Sequence, residues 1–207
     1  MAELEAWEES FAEAAAKDGI ELEPHTFEWA SEPGHLAVGY IADNSGIADV
    51  MQRAEIGVPA LEQTFTRLRG LTPVLQSCRL VMPYPAVLVH METGTLVEVD
   101  EVLHFTTARL TTLDAYPAEI PLGFDVKEYK ELCREHAPKT DKWRYGLASK
   151  TFGFHGLQSE RAYKDAVRDV AVWVMGFPPL LRVPAIDQDG VAAYERSKDM
   201  LQSKLKS

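Results

Sequence analysis

The sequence predicts an α/β fold in which a mixed β-sheet is flanked by helices. Three closely spaced runs of β-type residues are followed by a long amphipathic helix pattern and one more short apolar run. A meander followed by a helical crossover and a further strand gives a sheet with antiparallel and parallel neighbours. The chain has 207 residues, 46% of them hydrophobic and 26% charged, which fits one globular domain.

The strands are predicted from β-branched and aliphatic runs bounded by turn residues. They cover Ser77–Met82, Ala86–Met91, Thr95–Leu103 and Leu180–Ala185. The second and third are separated by three residues, a hairpin-sized connection. A further short strand is predicted at His35–Ile41.

The helices are predicted from apolar residues that recur every three or four positions. They cover residues 2–17, 57–69, 126–136, 159–174 and the tail from residue 191. In the second of them Pro59 occupies the first turn and Gly70 is the stop. In the fourth, Ala162, Ala166 and Val170 belong to the apolar stripe, and Asp165 and its charged neighbours are assigned to the solvent side.

Charge is distributed unevenly along the chain. The formal net charge is −11, and the first 32 residues hold ten acidic residues against one basic residue. We therefore predict an acidic N-terminal helical arm, residues 1–48, that either shields the site or docks on a basic protein partner. An α/β domain is predicted over 49–207, with an insertion at about 106–158.

An overall negative charge argues against a protein that coats nucleic acid through its general field. Any DNA contact is therefore expected on local cations of the insertion and of the long helix. These candidates are Lys142, Arg144, Lys150, Arg161, Lys164 and Arg168. The alternative is that they form exposed ion pairs or a solvated surface.

The expected location is the cytoplasm, without membrane contact. The N-terminus lacks the basic and apolar layout of a signal peptide, and the longest apolar stretch, Val170–Leu181, is too short to span a bilayer. Two cysteines, Cys78 and Cys133, cannot form a disulfide framework.

The third predicted strand carries the residues that suggest chemistry. Because side chains alternate along a strand, Glu98 and Asp100 share one face, and Val97 and Val99 share the other. Two neighbouring buried carboxylates repel each other unless a cation compensates them. Mg²⁺ or Mn²⁺ prefers such oxygen ligands. The alternative is an edge strand whose acids are simply in water.

The element order helix-β-β-β-helix-β resembles the restriction-endonuclease-like core of PD-(D/E)xK nucleases over roughly residues 58–185. The segments LVEVDEVLHF, residues 96–105, and LLRVPA, residues 180–185, are similar to strands of small endonucleases related to very-short-patch repair endonucleases. The resemblance implies a Mg²⁺- or Mn²⁺-dependent DNA endonuclease of bacterial repair or defence. It gives Glu98 the metal-binding acid position, Asp100 the third position, and His104 a role as proton shuttle or phosphate contact.

In such a mechanism the metal activates water for attack on a phosphodiester, and Lys164 neutralises the pentavalent phosphate. The resemblance also requires an Asp on the preceding strand, and residues 85–91 contain none. If Met91 pairs with Leu96, Val89 lies opposite Glu98 and Val87 lies opposite Asp100.

A one-residue bulge in the preceding strand would instead bring His90 beside Glu98. The metal site would then consist of His90, Glu98, Asp100 and Glu62. The other hypothesis is that the chemistry has been lost and that the fold serves as a protein-binding or adaptor subunit.

Overall fold

A computed structural model of the chain describes residues 4–27, 29–77, 82–83, 87–143, 146–154 and 156–205. The described strands are β1 (Leu22–His25), β2 (Ser31–Glu32), β3 (Met82–Pro83), β4 (Val87–His90), β5 (Thr95–Glu101) and β6 (Leu181–Ala185). The described α-helices are α1 (Ala6–Lys17), α2 (His35–Asn44), α3 (Ala48–Arg67), α4 (Thr72–Ser77), α5 (Thr107–Leu113), α6 (Val126–Thr140), α7 (Leu157–Val174) and α8 (Gly190–Leu205). A 3₁₀ turn, Val102–His104, follows β5.

The central sheet has the strand order β1-β4-β5-β6. β4 pairs antiparallel with β1 and β5, and β5 pairs parallel with β6. The predicted mixed sheet flanked by helices is therefore confirmed. β2 and β3 form a separate two-stranded sheet.

Helices cover both faces of the sheet. On one face, α1 and α8 pack against Val97 and Val99 of β5. On the other face, α2, α3 and α7 pack against Val89 and Leu96. A third cluster joins α5 and α6 around Phe105 beyond the end of β5. None of the described helices is long and apolar enough to cross a membrane.

Several predicted boundaries are wrong. Residues 35–41 belong to helix α2, whose buried residues His35, Val38 and Ala42 have helical spacing. Helix α3 begins at Ala48, nine residues before the predicted start, so that Pro59 lies in its interior. Proline removes one helical hydrogen bond, and the packing of α3 on α2 and α7 outweighs that loss.

The first strand of the predicted meander is only partly described. Of Ser77–Met82, Ser77 ends α4, residues 78–81 lie outside the described residues, and Met82 belongs to β3. The third antiparallel strand of the described central sheet is instead β1. It comes from the segment predicted as an arm.

The described residues of this segment, 4–27 and 29–48, are built into the fold and do not form a separate arm. Phe11 of α1 is fully buried, and its ring lies 5.8 Å from the ring of Tyr194 on α8. The Tyr194 hydroxyl donates a 2.8 Å hydrogen bond to Asp18. A Cβ atom on Gly190 would meet the backbone of Trp7, so α8 begins in direct contact with α1.

Replacing Phe11 with Ala tests this integration. The substitution leaves a cavity between α1 and α8, and we expect it to lower the free energy of unfolding by about 3–5 kcal/mol. Glu13→Ala, on the exposed side of the same helix, should change it by less than about 0.5 kcal/mol. Urea denaturation measures both. If the N-terminal segment were an independent arm, Phe11→Ala would change the free energy of unfolding as little as Glu13→Ala.

Candidate functional site

An open cleft of about 360 Å³ lies where the end of β5 meets α7 and the start of α1. Strand β5 contributes Glu98, Asp100 and Glu101, and the 3₁₀ turn contributes His104. Helix α7 contributes Glu160, Arg161, Lys164, Asp165 and Arg168. Helix α1 contributes Trp7 and Glu8, and its N-cap residue contributes Glu5. Much of the predicted site is therefore gathered in one place.

The two strand carboxylates share the face toward α7, as the alternation predicts. Val97 and Val99 pack in the opposite core with α1 and α8. β5 has a neighbour on each side, and Glu98 and Asp100 are only 8% and 1% exposed. The edge-strand alternative, with both acids in water, is therefore wrong.

Arg182 of β6 is the cation that compensates these acids. It lies opposite Glu98 in the parallel register and is only 2% exposed. Its Nη1 donates to Asp100 at 2.8 Å from Oδ1 and 3.0 Å from Oδ2. The same nitrogen lies 3.0 Å from Glu98 Oε2, and Nε donates to Asp169 Oδ1 at 2.7 Å.

Burial by itself would lower the pKa of Arg182, because desolvation disfavours the charged form. The surrounding carboxylates, with Asp100 first, more than reverse this effect and hold its pKa well above the ordinary value. The guanidinium therefore stays charged, and charge-assisted hydrogen bonds fix its position.

Three further arginines pair with acids of the same cluster. Arg168 Nε lies 2.6 Å from Glu98 Oε1, and Arg109 Nη2 lies 2.6 Å from Asp169 Oδ2. Arg161 pairs with Glu101 at 2.6 Å. Tyr129 adds a hydrogen bond to Asp100 at 2.9 Å. We call this set of five acids and four arginines the arginine–carboxylate cluster; its acids are Glu98, Asp100, Glu101, Asp165 and Asp169.

His104 lines the cleft and contacts two acids of the cluster. Its Nδ1 lies 2.9 Å from Asp165 Oδ2 and 3.4 Å from Asp100 Oδ1. Burial acts to lower the pKa of His104, but the charges of Asp165 and Asp100 outweigh burial, and the net effect raises it above 6.5. A protonated His104 balances the fifth carboxylate.

Glu8 is one of two carboxyl groups on the α1 side of the cleft, the other being Glu5. Its Oε2 accepts a 2.8 Å hydrogen bond from the backbone N–H of Glu5. Burial raises the pKa of Glu8 to about 7, and the nearby charge of Glu98 acts in the same direction. Near neutral pH this group is therefore partly protonated.

The donor set does not fit the predicted Mg²⁺ or Mn²⁺ ion. Within the described residues, no group of three or more His, Cys, Asp or Glu side chains is arranged to hold a metal. The oxygens of Glu98 and Asp100 already face the guanidinium groups of Arg168 and Arg182. A divalent ion among them would face the positive charge of both arginines.

The structure does not bring His90 or Glu62 to Glu98. Neither of the two predicted registers of the β4-β5 hairpin is correct. The structure pairs Leu88 with Val97 and His90 with Thr95. His90 shares the face of Leu88, opposite to that of Glu98, and contacts Thr93 at 2.9 Å. Glu62 is exposed on α3.

The predicted DNA contacts separate into two groups. Arg161, Lys164 and Arg168 line the cleft, where Lys164 pairs with Glu160 at 2.9 Å. Lys142 and Lys150 are exposed in turns between α6 and α7. Arg144 lies outside the described residues.

The acids of α7 are the main site residues that sequence reasoning placed wrongly. Asp165 and Asp169 are buried, although Asp165 was assigned to the solvent side. Both follow the spacing of the apolar stripe, three residues after Ala162 and Ala166, and that spacing was the available signal. Arg109, on α5, carried no comparable signal.

Titration of His104 should make stability depend on pH. Because its folded pKa is raised, the contribution of protonated His104 is complete below pH 6.5 and is lost as pH rises through the folded pKa. We therefore expect the free energy of unfolding to fall above pH 6.5, and to fall less in His104→Gln. His25→Gln, at an exposed position on β1, is the matched control. Urea denaturation from pH 5 to 8 measures this, and equal slopes for both variants would contradict it.

Comparison with protein families gives a match over most of the chain. Residues 64–203, which include β4, β5, β6 and α7, match a family of unknown function, DUF7255. Comparison with curated proteins and with solved structures finds no significant match. The family match covers more than half of the 207 residues. The chain therefore belongs to the DUF7255 family.

Proposed function

We propose that this chain is a non-catalytic, restriction-endonuclease-like protein that binds a basic segment of a partner protein. The observation that carries the proposal is the position of Arg182. Its guanidinium occupies the space between the carboxylates that a metal-dependent nuclease would use, Glu98 and Asp100. This is the adaptor alternative of the sequence analysis.

The restriction-endonuclease-like core is supported by part of the topology. Helix α3 precedes the hairpin β4-β5, and α7 connects β5 to the parallel strand β6. These elements follow the order of the expected core except for its first strand. The described sheet departs from it at β1, which occupies the place of the first core strand.

A buried arginine gives these acids a structural role. Breaking a buried ion pair by removing one partner leaves an uncompensated charge and costs about 3–5 kcal/mol. The folded protein therefore needs Glu98 and Asp100, the acids that the resemblance assigns to catalysis, to compensate the buried arginine. Catalytic carboxylates, by contrast, need free lone pairs for a metal ion.

The charge of the cleft favours a basic partner over DNA. Each lining cation already contacts an acid: Arg161 contacts Glu101, Lys164 contacts Glu160, and Arg168 contacts Glu98. Among the described residues, Glu5 and Glu8 pair with no cation within 4 Å. Additional exposed acids continue along α1 at Glu9 and Glu13. A DNA phosphate entering here would meet surplus negative charge.

The metal-dependent endonuclease remains the second candidate because one observation favours it. Glu98, Asp100, His104 and Lys164 line the same cleft. A nuclease would need Arg182 to release the carboxylates before a metal could bind. The two candidates make opposite predictions for divalent metals.

Metal titration with a cleavage assay distinguishes them. We expect the protein to cut neither supercoiled nor single-stranded DNA in Mn²⁺, and to bind Mn²⁺ no more tightly than about 1 mM, because arginines hold the ligands. Isothermal titration calorimetry and gel assays measure both. Cleavage that disappears in Glu98→Gln but persists in Glu9→Gln, an exposed acid of α1, would establish the nuclease instead.

A further inference from the structure

Helix α2 is apolar on two sides, and one of these sides is exposed. Val38 and Ala42 of its inner side are fully buried in the core. Leu36 and Tyr40 of its outer side are exposed, and Tyr40 is 69% exposed. A helix that is apolar all round is normally covered all round. The outer side of α2 is therefore available for a contact with another molecule.

Exposed apolar side chains continue from α2 to the start of α3. Ile47, the N-cap residue of α3, and Met51, in its first turn, are both exposed. Among the described residues, five of the eleven exposed large hydrophobic side chains lie within residues 36–56. Such a concentration of exposed apolar surface is typical of a protein–protein contact.

An open groove of about 270 Å³ lies between α2 and α3 within this surface. Gly39 lines it from α2, and Met51 and Val58 line it from α3. A Cβ atom on Gly39 would lie 3.7 Å from the methyl carbons of Val58, so the two helices pack closely at this point. The groove is therefore shallow and suits apolar side chains that project from a partner.

Acidic groups line both walls of the groove. Asp43 on α2 and Glu55 on α3 are exposed, and among the described residues neither forms an ion pair with a cation. Pro59 also lines the groove and has no N–H, so the main-chain carbonyl of Glu55 receives no helical hydrogen bond from that position. Cationic hydrogen-bond donors complement oxygens of this kind.

We propose that the α2–α3 groove binds an amphipathic basic helix of a partner protein. The apolar side chains of that helix enter the groove at spacings of three and four, and its lysine or arginine side chains contact Asp43 and Glu55. Charge complementarity selects this occupant, because a second copy of the chain would bring the same acids to the interface. The groove is separate from the cleft beside α1, and this inference goes beyond the proposed function.

The probe is a fluorescently labelled peptide of about 18 leucine and lysine residues, with leucine at helical spacing. We expect it to bind the wild-type chain more tightly than two peptides of equal length. One has leucine and lysine in strict alternation, which does not give a helical apolar stripe, and the other has glutamate in place of lysine. Fluorescence anisotropy measures the three affinities.

Two variants with matched controls locate the binding surface. Met51→Ala should weaken binding of the helical basic peptide by about fivefold or more, whereas Val191→Ala, at an exposed apolar position of α8, should not. Asp43→Asn with Glu55→Gln should weaken it by about tenfold at low salt and by less at high salt, because salt screens exposed charges. Glu9→Gln with Glu13→Gln removes the same amount of charge from exposed positions of α1 and should leave binding unchanged.

The variants change exposed side chains, and equal thermal transitions would show that they fold like the wild type. Equal binding of all three peptides, or no binding of the helical basic peptide, would overturn the inference. Weaker binding in Glu9→Gln with Glu13→Gln, but not in Asp43→Asn with Glu55→Gln, would move the peptide to α1. That result overturns this site and leaves the proposed function standing. A wild-type dimer in sedimentation velocity that Met51→Ala dissociates would assign the groove to a second copy and also overturn it.

Discussion

The guanidinium of Arg182 joins β6, the strand that carries it, to β5 and to α7. Its nitrogen atoms lie 2.7–3.0 Å from the carboxylates of Glu98 and Asp100 on β5 and of Asp169 on α7. Because desolvated like charges cannot remain together without compensation, the parallel pairing of β5 with β6 and the packing of α7 over them depend on this one side chain. Arg109 and Arg168 extend the same compensation to α5 and to the rim of the cleft.

The position of Arg182 also determines how the function of the cleft is interpreted. A pair of strand acids beside a cleft resembles a metal site, and the resemblance extends to His104 and Lys164. In this chain an arginine holds the position that the metal would take. The same cleft retains acids on the α1 side that are paired with no described cation. In the proposed function, these acids recognise a basic group of the partner.

Much of the secondary structure could be predicted because its causes are local. The two-residue period of β5 places Glu98 and Asp100 on one face, and the stripe of α7 predicts a helix over 159–174, which the structure extends to Leu157 at its start. Local sequence rules failed to predict the elements whose position is determined by tertiary packing. Pro59 favours a helix start, yet α3 runs through it, and residues 22–25 pair with a strand more than 60 positions away.

The site could be predicted only in part for the same reason. The strand pattern identifies the acids, but their cation stands 82 residues away from Asp100, and no local pattern assigns it. The segment LLRVPA does mark Arg182 as an arginine between apolar residues, which was the available clue. The burial of Asp165 and Asp169 depends on Arg109 and His104, which approach from other elements.

The most direct test is the stability of Asp100→Asn, measured by urea denaturation in the presence of EDTA. A carboxylate that compensates buried Arg182 should, when removed, lower the free energy of unfolding by about 3–5 kcal/mol. Asp187→Asn, which breaks an exposed pair with Arg196, is the matched control and should have little effect. A metal-binding carboxylate behaves oppositely in metal-free protein, because its removal relieves repulsion from Glu98. Unchanged or increased stability of Asp100→Asn would therefore contradict the central role of Arg182.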